Sequence, residues 1–445
     1  MKKIMVSMFF LALVACGNEE ADVHQEARET ASRGLIDPAR IDSALSGFVE
    51  RGELVGVSAL VYEGGAEAYF GAFGMADREA ERPMRRDALV QIYSMTKPVT
   101  GVVLMTLYEE RLFKLDDPLE KYLPEFTGIK VYAGEDNGEP RFEAPGRPPT
   151  VRDILRHTAG FASGSTGDEG NDAWVNDRYR EVNPTNVENT LEQFSVKLAS
   201  VPLLFDPGTR WLYGPSVDVQ ARLAEVLSGK PYDVLLQERV LDPLGMTETQ
   251  YTLRPEQRDR ISALYERHPD GSFMRMPDDE SLAFNFRDWP MTPGSWGLTS
   301  TLDDYMKFAR MLLDGGEFDG VRILQPETIR LMATDAMPAE VTDKSWLPNK
   351  GQVGFGIDFA VRVAPPGDQA EASGAVGEFF WDGAANTLFW VDPENDVAAV
   401  LFNFYRPFGK VEIQKDFRDA VYYRDATASA LKKALPGPDS RRLSD

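Results

Sequence analysis

The chain is nearly free of cysteine and poor in histidine. Its 445 residues include one cysteine, Cys16, and three histidines. A single thiol excludes an internal disulfide and any multi-cysteine metal site. His24 lies in a polar N-terminal stretch, so only His157 and His268 could serve as an imidazole base. Positive charge is scarce too: 48 lysines and arginines face 71 acidic residues, for a formal net charge of −23. That excess of carboxylates is spread along the chain, repels phosphate backbones and argues against nucleic acid as a partner. It reads as a solvated acidic surface. The apolar run from Ile4 to Ala15 has 12 residues, short of the ~20 that a helical membrane span needs.

Apolar residues make up 43% of the chain and aromatics 11%, enough to bury a large core and exclude a disordered or fibrous chain. The N-terminus has the form of an export signal: Lys2 and Lys3, the apolar run, then Leu13-Val14-Ala15-Cys16. That ending resembles the lipobox of bacterial lipoproteins. The resemblance implies a signal peptide over 1–15, a lipid on Cys16 and a polar tether over 16–33 that leads into one domain over 34–445. Several acyl chains on a mature N-terminal cysteine anchor stably where one would not. The 17 residues from Gly17 to Arg33 reach at most ~60 Å, and the expected place is the periplasmic side of the cell envelope. Gly17 after the cysteine resembles the outer-membrane sorting pattern.

The rest reads as α+β. Val55–Tyr62 and Glu67–Phe73 alternate like strands, and Leu89–Tyr93 leads into a helical pattern on Val99, Val102, Val103 and Leu107. Thr150–Asp153 and Ser300–Asp303 look like helix starts, each a hydroxyl with an acid three residues on. Another helix spans about Val217–Leu227 and stops at Gly229, while Phe161–Asn189 is loop-rich and a candidate rim. Short β-rich segments return at Phe355–Val363, Ala375–Trp381, Thr387–Val391 and Val397–Phe404. Strands at both ends around a helical middle predict one antiparallel sheet in which the termini meet, beside a helical lobe.

Chemistry points to Tyr93-Ser94-Met95-Thr96-Lys97. Residues three apart on a helix share a face, so Ser94 and Lys97 are neighbours. A hydroxyl at a first turn also lies near free N–H groups and the positive helix end, which suits a developing oxyanion. Alone, S-x-x-K equally describes a capping serine and an exposed lysine. It is accompanied in order by Leu115-Asp116-Asp117-Pro118, Leu155-Arg156-His157-Thr158-Ala159-Gly160 and Tyr213-Gly214-Pro215-Ser216. Asp242-Pro243-Leu244-Gly245-Met246, Ser295-Trp296-Gly297-Leu298 and Phe380-Trp381-Asp382-Gly383-Ala384-Ala385 follow.

Together these resemble the serine β-lactamase-related hydrolases, most of all the class C β-lactamase-like esterases known as family VIII carboxylesterases. The resemblance spans about Leu35 to Phe404 and implies the β-lactamase/penicillin-binding-protein fold. It makes Ser94 the nucleophile, Lys97 the lysine of the first motif and Tyr213 the tyrosine of the Y-x-N motif. Trp381-Asp382-Gly383 stands in the substrate-binding place of K-T-G, or of W-G-G in the esterases. The backbone N–H groups of Ser94 and Ala384 would form the oxyanion hole. Either Lys97, its pKa of ~10.4 depressed by burial, or Tyr213, its phenol pKa lowered by a charged Lys97, can be the base. No G-x-S-x-G elbow accompanies Ser94.

Two departures bear on substrate. Pro215 replaces the Asn that would hold a substrate carbonyl, and Trp381 replaces the Lys that would meet a β-lactam carboxylate. Both weaken the β-lactam reading and leave carboxylic esters standing. Asp382 adds an anion expected to disfavour anionic acyl groups. The alternatives are a penicillin-binding-protein-like D-amino peptidase and a catalytically silent binding lipoprotein of the same fold. No cluster has zinc or calcium spacing and no cofactor is implied. The expected partners are a small ester or amide and, through the lipid alone, a membrane.

Overall fold

In the computed structural model, which describes residues 36–164 and 173–423, the β-rich ends of the chain do meet in one sheet. Its strands are β1 (Gly56–Glu63), β2 (Ala66–Asp77), β3 (Arg82–Pro83), β4 (Val353–Phe355), β5 (Ala360–Arg362), β6 (Phe379–Asp382), β7 (Leu388–Asp392) and β8 (Val397–Phe402). They lie in the order β4-β5-β6-β7-β8-β1-β2-β3, each pair antiparallel. The seam between the two ends is β1 against β8, with Leu60 opposite Val400. Both strands are buried over most of their length, because helices cover both faces of the sheet.

Strand alternation sorts the two faces. On β7, Trp390 points at helix α5 (Ile413–Val421), its ring 5.2 Å from Phe417. The neighbouring Phe389 points at helix α4 (Leu302–Leu313), 5.1 Å from Tyr305. Helix α1 (Pro38–Glu50) joins α5 on the first side, tied to β2 by the Tyr69 hydroxyl donating to Asp42 at 2.9 Å. On the second side lies the helical lobe, with α2 (Thr96–Glu109) packed against α3 (Ser216–Ser228). Every residue of α2 from Thr96 to Leu107 is buried. After Lys97 no charge interrupts that stretch, so α2 can be apolar all round and run through the centre of the lobe.

Local signals set several boundaries. Thr150 caps its helix in a reciprocal box with Asp153, as expected. Helix α3 ends at Gly229, whose φ of 68° is the left-handed conformation that glycine adopts without penalty. The other predicted start shifts by one residue: Thr301 and Asp304 form the cap contact, because Ser300 is held in a two-residue pairing with Val90. Asp303 instead pairs with Arg86 at 2.7 Å. That pairing reduces the strand expected over Leu89–Tyr93 to Val90–Gln91. The strand expected over Phe355–Val363 is two strands, β4 and β5, parted by a turn with Asp358 at φ 57°. Within the loop-rich Phe161–Asn189 a helix forms at Ala173–Val182. The signal peptide, Cys16 and the tether lie outside the described residues. No helix among the described residues is long and apolar enough to cross a membrane.

Candidate active site

Ser94 occupies a 3-10 turn, Tyr93–Met95, that joins Val90–Gln91 to α2. The turn begins under strain: Tyr93 has φ 46°, a left-handed conformation that costs a non-glycine residue about 1–3 kcal/mol and persists only where neighbours enforce it. Lys97, one helical turn on, reaches back. Its Nζ donates to Ser94 Oγ at 3.1 Å and to the Ser295 carbonyl at 2.7 Å, with 5% of the residue exposed. Its hydrogen-bond partners are therefore neutral oxygens, and among the described residues no carboxylate forms an ion pair with it. Burial drops its pKa to about 8, although Asp218, Asp358 and Asp382 pull it upward. An ammonium stripped of water and paired only with dipoles gives up its proton more readily.

Tyr213 comes from the segment before α3 and lies over this lysine, with Lys97 Nζ 4.6 Å from the ring centre. Its phenol is within hydrogen-bonding reach of the Ser94 hydroxyl, and the Trp381 indole N–H donates to it at 3.3 Å. Burial raises the phenol pKa, an effect the contacts from Ser94 and Trp381 only partly offset. His157 packs beneath, 4.8 Å from the Tyr213 ring, with φ 58° and both ring nitrogens buried without a hydrogen-bond partner among the described residues. Burial and the Lys97 charge hold its pKa at about 3, so it is neutral. His268 sits in the turn between Tyr265–Arg267 and Phe273–Arg275.

Behind Lys97 lies a carboxylate that sequence reasoning missed. Asp218, 1% exposed, accepts from the Ser295 N–H at 3.0 Å and from the Ser295 hydroxyl at 2.8 Å. Those two bonds hold Ser295, the residue whose carbonyl accepts from Lys97. Burial raises the Asp218 pKa, opposed by the Ser295 bonds and by Lys97. From sequence, an acid in the first turn of a helix is most simply a partner for the helix dipole. Its five-residue offset from Tyr213 was the available clue.

The Gly383 backbone closes the site. A Cβ there would stand 2.5 Å from the Ile92 carbonyl and 3.2 Å from Tyr93 Cβ, so only glycine lets this chain press against the Ser94 turn. Ala384 follows directly, and among the described residues its N–H donates to no backbone carbonyl. Ser94, Lys97, Tyr213, Trp381 and Gly383 thus converge. Trp381 is 1% exposed and forms the layer beneath Tyr213.

Asp382 requires a correction. Alternation along β6 turns it to the opposite side from Trp381, where it forms an ion pair with Lys350. There it and Phe380 line a cavity of about 400 Å³ that also includes Arg362, Phe408 and Arg418. The expected anion does lie near the site, where its charge reaches Lys97 and Tyr213, but Lys350 compensates it. Among the described residues no group of three or more His, Cys, Asp or Glu is placed to hold a metal ion.

The beta-lactamase family profile matches residues 41–420. The chain belongs to the beta-lactamase family. It is thus a serine hydrolase with that family's fold, as its motifs implied. Protein Rv1367c of Mycobacterium tuberculosis is 30% identical over 370 residues, covering 78% of this chain and 85% of that protein. Esterase EstB of Burkholderia gladioli is 28% identical over 410 residues, covering 87% and 95%. The fold is also similar to that of EstCE1, a hydrolase with promiscuous acyltransferase activity, with a TM-score of 0.71 at 23% identity over 90% of this chain and 100% of that one.

Proposed function

We propose that this beta-lactamase family member cleaves neutral carboxylic esters through an acyl-enzyme on Ser94. The observation that supports it most is the buried Lys97 amine, 3.1 Å from Ser94 Oγ, with a pKa of about 8. About one molecule in ten then carries a free amine at pH 7, enough to take the serine proton as Oγ attacks the carbonyl. Tyr213, its phenol pushed upward by burial, stays protonated and acts as a donor. Of the two bases left open by the sequence, the reading favours Lys97.

The oxyanion is held by the N–H groups of Ser94 and Ala384. As the tetrahedral species collapses, the Lys97 proton passes through the Tyr213 hydroxyl to the leaving alkoxide. Water then attacks the acyl-enzyme, with the proton path reversed and the carboxylic acid released.

Support for esters comes from the likeness to esterase EstB and from the two substitutions at the β-lactam contacts, Pro215 and Trp381. Lys350 does not replace the lost cation, because Asp382 already neutralises it. We further propose that lipid on Cys16 holds the enzyme at the envelope membrane. Release of a Cys16→Ala variant from the membrane fraction tests this, and unchanged membrane retention contradicts it.

Ser94→Ala is expected to lower turnover of p-nitrophenyl acetate by at least ~10³-fold, as loss of a serine nucleophile does elsewhere. It should also abolish labelling by a fluorophosphonate. Turnover near that of the wild type overturns the assignment.

A further inference from the structure

Trp346 is 37% exposed, although it belongs to the aromatic cluster around Tyr213. Its ring lies 5.3 Å from Trp211 at 85°, 5.3 Å from Tyr213 at 74° and 6.2 Å from Trp381. Trp211 and Trp381 are fully buried. The indole therefore uses one side to pack on the site and leaves the rest open to solvent.

It is held rigidly in that position. On its N-terminal side, Asp343 ties the segment to the stretch that carries Tyr213. The Trp211 N–H donates to the Asp343 carbonyl at 2.9 Å, Arg210 pairs with its carboxylate at 2.6 Å, and the same side chain accepts from Ser345 N–H at 3.1 Å. Ser345 itself has φ 47°, a conformation the surrounding bonds must enforce. On its C-terminal side, Leu347 is wholly buried, and Lys350 pairs with Asp382 while lying 5.3 Å from the Trp346 ring and 5.0 Å from that of Trp381. A large aromatic fixed in advance has little freedom left to lose when a ligand covers it, so most of its buried area contributes to binding.

The occupant follows from the chemistry at Tyr213. In the proposed reaction the phenol hands its proton to the leaving oxygen, so the alcohol half of the ester must lie against Tyr213, whose ring Trp346 edges. We propose that Trp346 forms an alcohol-side subsite for esters of ring-bearing or extended apolar alcohols, which stack on its open face. This rests on the reading of Ser94, Lys97 and Tyr213 given above, and names the part of the substrate that the reading leaves open. The acyl half does not meet Trp346.

Two ester series on the full chain test it: one acetyl group with ethyl, benzyl and 2-naphthylmethyl alcohols, and ethyl esters of acetic, phenylacetic and naphthylacetic acids. Trp346→Ala should lower kcat/KM for naphthylmethyl acetate about tenfold or more, the scale of one desolvated aromatic contact. Ethyl acetate should change less than about twofold, and Trp346→Phe should keep most of the wild-type preference. A loss that follows the acyl series, or one equal for all esters, overturns the subsite. Fluorophosphonate labelling of Ser94 in Trp346→Ala at the wild-type rate shows that the nucleophile and fold survive the change. Labelling and ethyl acetate turnover lost from the wild type itself would instead overturn the reaction, and the subsite with it.

Discussion

Two lysines beside one strand, β6, meet different partners. Lys97, in the helical lobe, donates to the Ser94 hydroxyl and the Ser295 carbonyl beneath the Tyr213 ring, and burial takes its pKa to about 8. Lys350, beyond β6, meets the Asp382 carboxylate directly, and both side chains are about a tenth exposed. The nearest carboxylate on the Lys97 side acts one residue removed, Asp218 bonding to Ser295 rather than to the ammonium. The lesson is that two lysines near one strand can face different partners, neutral oxygens for Lys97 and a carboxylate for Lys350. A neutral partner leaves a buried amine able to lose its proton.

The contrast is broken most sharply by removing each amine. Lys97→Met should cut kcat/KM for a short ester by ~10²- to 10⁴-fold, the range for a lost general base, while thermal stability holds or rises because a buried charge is gone. Lys350→Met should do the reverse. It strands Asp382, and breaking such a pair costs about 3–5 kcal/mol, read as a lower midpoint in chemical denaturation. Ethyl acetate turnover in the folded protein should stay near that of the wild type. Adding Asp382→Asn should recover much of that stability, since no unpaired anion remains. If Lys350→Met instead abolishes chemistry without touching stability, the division between the two lysines fails.

Asp218→Asn gives a smaller and more specific effect. Removing that carboxylate withdraws a charge that holds the Lys97 pKa up, so the acid limb of the pH–rate profile should move to lower pH. A shift to higher pH, or none in a folded variant, would mean that Asp218 acts only through packing.

Much of the fold and part of the site could be read from the sequence, for physical reasons. Alternation marked β1 and β2, while β7 and β8, buried along their length, showed as short β-rich runs between turns. Ser94 and Lys97 were legible because helical spacing alone makes them neighbours. Trp346, Lys350 and Asp218 were not, since their roles depend on contacts across 35, 32 and 77 residues, to Trp381, Asp382 and Ser295 respectively. The partner of Asp382 was hidden for a related reason. The motif gives its place beside Gly383, but only the pleat shows which face of β6 it occupies.

The pH dependence of kcat/KM for ethyl acetate, followed from pH 5 to 10, tests the central claim most directly. A buried Lys97 amine taking the Ser94 proton predicts a single rise with its midpoint near 8, displaced downward in Asp218→Asn. A midpoint at about 6.5, the ordinary range of an imidazole, or a profile flat across neutral pH would contradict it.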